Sequence, residues 1–156
     1  MRETGLYLSS AEGSFTFRVG ALIIKDGKLL VAKSKEYPCY YSVGGCVEIN
    51  ETSEEAVIRE VFEETGYKLE IDRLAIIQER FFNVDSQKCH ELDLFYIMKN
   101  NEEMNIADNS FTDQAPTETL HWIPVSDLAK INIVPPSLKT ILFDNINSIT
   151  HIISKE

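Results

Sequence analysis

Patterning becomes readable at Phe15, where polar and apolar positions alternate before merging into a continuous apolar run that reaches Ile24. Asp26-Gly27 then offers two-residue turn chemistry, and Lys28 to Lys33 returns to strand character, so a β-hairpin is predicted. Residues 34–44 mix proline, tyrosine and glycine and read as a loop, with a short strand from Tyr40 to Val43 that runs into Gly44-Gly45. Leu69 to Val84 and Cys89 to Met98 form two further strands joined by the polar turn Asp85-Ser86-Gln87-Lys88. Trp122 to Val125 adds a short strand, and Ser126-Asp127-Leu128 opens a helical turn.

Two segments carry the period of a helix. Thr52 followed by Glu55 has the spacing of a capping box, and Gly66 supplies a left-handed stop, so a helix is expected from Thr52 to Gly66. After Pro135-Pro136, Ser137 can cap a second helix, with Leu138, Ile141, Leu142, Ile146 and Ile149 at helical spacing. Asn100 to Thr119 is polar and acid-rich over about twenty residues, which predicts a mobile lid, a binding loop or local disorder. Strands interleaved with helices give an α/β (α+β) fold with a mixed, partly antiparallel sheet. No repeat or composition break divides the chain, so 1–156 reads as one domain, with 1–14 as a flexible polar arm able to pack across a homodimer.

A chain of 156 residues with 44% hydrophobic content can bury a core without disulfides or structural metal. No basic-then-apolar leader opens it, and no apolar run nears the roughly 18 to 20 residues of a membrane span, so a cytoplasmic protein with no membrane partner is expected. Cys39, Cys46 and Cys89 show no paired spacing and read as reduced thiols. A formal net charge of −10 excludes a nucleic-acid surface, which needs clustered Lys and Arg. A small anionic substrate stays compatible where a cation mediates.

The charge is not spread evenly. Glu48, Glu51, Glu54, Glu55, Glu60, Glu63 and Glu64 face a single cation, Arg59, across one short stretch. At about 100° per residue, Glu60, Glu63 and Glu64 share one arc of the helix, while Val57, Ile58, Val61 and Phe62 cover the neighbouring arc. Glu54 and Glu55 suit the positive end of the helix dipole, but Glu63 and Glu64 occupy the last turn, where cations are favoured. In a cleft, carboxylates roughly 5 Å apart repel by about 3 kcal/mol per pair at an effective dielectric near 20. A cation or a proton relieves this. Gly44-Gly45 lets backbone carbonyls approach a ligand, and Arg59 can brace Glu63 at i+4. Ligation by oxygen alone points to a hard cation, Mg²⁺ before Mn²⁺. A purely solvated acidic face is the alternative.

The spacing resembles the Nudix box: Gly45, five residues, Glu51, seven residues, Arg59-Glu60, apolar Val61, one residue, Glu63-Glu64, one residue, Gly66 and Tyr67. Tyr67 replaces the usual aliphatic residue, and Val43 stands where the family often has Pro. The resemblance implies an α/β/α sandwich and metal-dependent hydrolysis of a diphosphate bond in a nucleoside diphosphate linked to another moiety, with nucleoside triphosphates and nucleotide sugars as leading substrates. It implies Glu60, Glu63, Glu64 and the Gly45 carbonyl as metal ligands, Arg59 and Glu51 as their support, and Glu48 as a frequent extra acid. A non-catalytic nucleotide-sensing or protein-interaction module is the second reading. Near Phe81 to Asn83 neither the Pro of ADP-ribose hydrolases nor the Tyr of dinucleoside polyphosphate hydrolases is present, and no coenzyme A pattern precedes the box.

Glu118 and Glu79, followed by Asp113, Glu102, Glu103 and Glu91, are candidates for an additional ligand or base. Arg18, Lys33 and Arg80 are candidates for phosphate, and Phe81, Phe82 and the loop tyrosines for base stacking. His90, His121 and His151 have no partner that spacing identifies.

Overall fold

The computed structural model describes residues 5–111, 116–141 and 147–156. Its strands are β1 (Tyr7–Ser10), β2 (Gly13–Leu22), β3 (Ile24–Lys25), β4 (Lys28–Ser34), β5 (Tyr40–Cys46), β6 (Ile71–Val84), β7 (Gln87–Met98), β8 (Ser110–Phe111), β9 (Glu118–Pro124), β10 (Ile133–Val134) and β11 (Thr150–Lys155). They form a mixed sheet whose main path is β11-β6-β7-β2-β5-β4-β9-β8. The helices are α1 (Ser53–Thr65) and the short α2 (Leu138–Ile141), and a 3₁₀ helix spans Val125–Lys130, where a helical turn was expected. Among the described residues no helix is long and apolar enough to cross a membrane.

Alternation along the strands sends apolar side chains to both faces. Val19, Ala21, Val43 and Val47 pack with Ala56, Val57 and Val61 of α1 on one side. Leu22, Leu29, Val31, Ile76 and Phe95 pack with Leu128, Ile133 and Leu138 on the other. The sheet therefore lies between two layers. Phe62, expected on the packed arc of α1, is instead 54% exposed, because the buried arc stops at Val61.

The predicted hairpin is only partly formed. Asp26-Gly27 turns Ile24-Lys25 back onto Lys28-Leu29, but the long strand β2 pairs in parallel with β7 and antiparallel with β5. Both its edges are thus filled, and β4 lies between β5 and β9. The N-terminal segment expected as an arm supplies β1, paired with β2, and Leu6 N–H donates to the Val47 carbonyl at 2.7 Å.

The segment expected as a mobile lid is tied down in its first half. Met104 is buried, and its carbonyl accepts from Lys25 Nζ at 2.9 Å. Trp122 Nε1 donates to the Ile106 carbonyl at 2.8 Å. One buried apolar residue in a polar run thus anchors the chain to the sheet. Asp113 lies outside the described residues, as do Leu142 and Ile146 of the second expected helix. Ile149 is exposed and directly precedes β11, while the Ser137 hydroxyl donates to Gln78 Oε1 at 2.8 Å.

Candidate active site

Helix α1 starts and stops where its sequence directs. Thr52 caps it through a complete capping box, with Glu55 N–H donating to Thr52 Oγ1 at 3.1 Å and Thr52 N–H to Glu55 Oε2 at 2.9 Å. Gly66 ends it in the left-handed conformation at φ 78°. The glycine pair at the end of β5 sets the helix against the sheet. Gly44 has φ 153°, and a Cβ there would collide with the Val19 carbonyl of β2. At Gly45 a Cβ would enter the space held by the Glu60 carboxylate, so that carboxylate rests against bare backbone.

Arg59 ties the loop to the helix. Its Nε and Nη2 donate to the two carboxylate oxygens of Glu51 at 2.6 and 2.9 Å, and Nη2 also reaches the Cys46 carbonyl at 3.0 Å. Nη1 donates to Glu60 Oε1 at 2.7 Å and lies 3.6 Å from Glu63 Oε2, so Glu51 is a closer partner than the expected i+4 brace. Glu51 in turn accepts the Glu48 N–H at 2.9 Å. The bond from Arg59 holds the Glu51 carboxyl below the usual range. Burial pushes the Glu60 carboxyl up despite Arg59, and burial with the negative fields of Glu60 and Glu118 pushes Glu64 well up. Among the described residues Glu64 accepts only a long bond, 3.4 Å, from Gly44 N–H.

Crowded, partly desolvated carboxylates beside backbone carbonyls form an all-oxygen donor set suited to a hard divalent cation. Among the described residues no three acidic, His or Cys side chains are already drawn together as a ligand cage. Glu60 is turned toward Arg59 and Glu64 toward Gly44.

Two further groups belong to this neighbourhood. Glu118, at the start of β9, is near enough to Glu64 to raise its pKa, and its Oε1 accepts from Tyr41 Oη at 2.7 Å. Arg18 lies in the fields of Glu60, Asp93 and Glu91, and its Nη1 approaches Cys46 Sγ at 3.8 Å. Each feature is a local device, but the region as a whole follows one pattern. A family model described as the NUDIX domain matches residues 15–142.

The chain belongs to the NUDIX family. It is 51% identical over 51 residues to an ADP-ribose pyrophosphatase of Methanocaldococcus jannaschii, a match covering 31% of this chain and 30% of that protein. It is 40% identical over 55 residues to a MutT-like protein of Streptomyces ambofaciens, covering 35% and 36% respectively. The matched segment thus spans about a third of the length of these relatives. The fold is similar to that of a MutT NUDIX hydrolase from Burkholderia pseudomallei, with a TM-score of 0.62 at 24% identity over 81% of this chain and 98% of that one.

Several other candidates in this Nudix chain have partners of their own. Glu79 meets His151 Nε2 at 2.8 Å between β6 and β11. Lys33 Nζ sits 4.9 Å from the centre of the Tyr40 ring, beside His121. Arg80 donates to both carboxylate oxygens of Glu156, at 2.6 and 3.0 Å, meets Glu91 at 3.3 Å and stacks on Phe82. Phe81 stacks on His90 at 4.3 Å. Glu102 and Glu103 are exposed. The sequence reading missed Tyr41 as a partner of Glu118, and it missed buried Asp93. For Asp93 a signal existed: an acid flanked by Leu92 and Leu94 where the strand turns apolar.

Proposed function

We infer that this chain is a single-domain, divalent-metal-dependent Nudix pyrophosphohydrolase that cleaves a diphosphate bond in a nucleoside diphosphate linked to another moiety. Nucleoside triphosphates and nucleotide sugars are the leading substrates, and Mg²⁺, with Mn²⁺ as substitute, is the metal. The observation that carries this reading is the crowding of the half-buried Glu60 and Glu64 carboxylates against Gly44-Gly45, where a bound cation would favour their charged forms over the protonated ones.

Glu60, Glu63, Glu64 and the Gly45 carbonyl would hold the metal, with Glu118 adding a carboxylate from β9. When bound, such an ion polarises phosphoryl oxygens and lowers the pKa of water. The chain's own groups set the geometry. Arg59, gripped by Glu51, fixes Glu60 and keeps the loop against α1. Arg18, beside this cluster, would donate to a phosphate oxygen. Water adds to one phosphorus and the bridging P–O bond breaks, giving two phosphate-bearing products.

The test is a panel of nucleoside triphosphates and nucleotide sugars incubated with protein and Mg²⁺, followed by identification of both products. Turnover should cease with chelator and fall at least about 100-fold in Glu63→Gln. Turnover untouched by either would refute the mechanism.

A further inference from the structure

We propose that Tyr41 is a positioning residue for Glu118, holding its carboxylate across a strand so that it faces the acidic end of α1. This rests on the reading above, in which Glu118 joins the metal's ligands. Tyr41 and Glu118 are not on neighbouring strands. Tyr41 is registered against Ala32 of β4, Ala32 against Leu120 of β9, and Glu118 lies two residues before Leu120, on the same face. The phenol therefore reaches over β4, and the small side chain of buried Ala32 leaves room for it. At the far side its hydroxyl donates to Glu118 Oε1 at 2.7 Å.

Among the described residues Tyr41 is the sole hydrogen-bond donor to the Glu118 side chain. The partner's chemistry matters. Glu51 is held by a guanidinium, which neutralises it and suits a supporting role. Glu118 is held by a neutral hydroxyl, which fixes its direction while leaving its charge for a cation. The same strand, β5, also supplies the Gly44 N–H that touches Glu64. One strand thus contacts two carboxylates, Glu64 of α1 and Glu118 of β9.

The experiment is Mn²⁺ titration calorimetry on the full chain, comparing wild type with Tyr41→Phe, Glu118→Gln and the double variant, with thermal melts to verify folding. Glu118→Gln should weaken Mn²⁺ binding about tenfold, and Tyr41→Phe alone about threefold to tenfold. On top of Glu118→Gln, Tyr41→Phe should add less than about twofold, because the hydroxyl acts only through that carboxylate. An equal effect of Tyr41→Phe in both backgrounds, or none where Glu118→Gln weakens binding, overturns the proposal. Wild-type affinity in Glu118→Gln, or no saturable binding by wild type, overturns it together with the ligand assignment. Hydrolysis is scored in the separate substrate panel, so loss of the hydrolase reading is seen independently.

Discussion

Arg59 grips Glu51 with two parallel hydrogen bonds, 2.6 and 2.9 Å long, between side chains that are 22% and 14% exposed. This fork joins the loop after β5 to the middle of α1, and the remaining guanidinium nitrogen goes to Glu60. Lysine supplies a point charge and cannot make the paired contact. Arg59→Lys should lower stability by about 1 to 2 kcal/mol in denaturant titration and cut turnover by about 10- to 100-fold. Wild-type values for both would show that the fork does not organise the site.

The two adjacent glycines should fail differently. A Cβ at Gly44 meets the Val19 backbone, which cannot yield without parting β2 from β5, and φ 153° adds strain. The atoms nearest a Cβ at Gly45 belong to the Glu60 carboxylate, the end of a side chain that can swing away. Gly44→Ala should therefore cost about 2 kcal/mol or more, and Gly45→Ala should melt near wild type yet lose about 100-fold in turnover. Equal melting temperatures for the two variants would contradict this assignment.

Asp93 makes stability depend on pH. Burial and the neighbouring Glu91 push its carboxyl up to about 7, against the pull of Arg18 and Arg80, from an ordinary value of 3.8. Because the folded chain holds this proton more tightly than the unfolded chain, the group's stabilising share is full below pH about 4 and is lost as pH rises through about 7. The loss is at most about 4 kcal/mol. Asp93→Asn, which keeps the neutral form, should melt above wild type at pH 8, with an advantage that shrinks toward pH 5. An advantage constant across that range would exclude Asp93 as the titrating group.

Thr52 closes the capping box of α1, the helix bearing Glu60, Glu63 and Glu64. Thr52→Ala removes the acceptor for Glu55 N–H and should lower stability by about 1 kcal/mol. A shifted urea midpoint with unchanged slope is the expected signature.

Helix α1 was legible because its signals are local: the cap, the acid arc and the left-handed glycine lie within the element itself. Strand partnership was not. The stretch from Phe15 to Leu22 has the same alternation whether it pairs with β4 or, as found, with β5 and β7. The box residues were identifiable by spacing, whereas Glu118 could only be ranked among several loop and strand acids. Its distinguishing feature is contact with Tyr41, which depends on the order β5-β4-β9. Arg80 shows the converse: its sequence suits phosphate, but Glu156, brought alongside by β11, takes its donors.

Tyr41 reaches Glu118 over a span of two strand spacings, each about 4.8 Å. Backbone ladders therefore act as the ruler for the cleft: its width is counted in strands. Softening of the surrounding loops on warming leaves that ruler intact until the sheet itself comes apart. Thermal loss of Mn²⁺ affinity should accordingly coincide with global unfolding, with no earlier decline, when binding and far-ultraviolet dichroism are followed over the same temperature range.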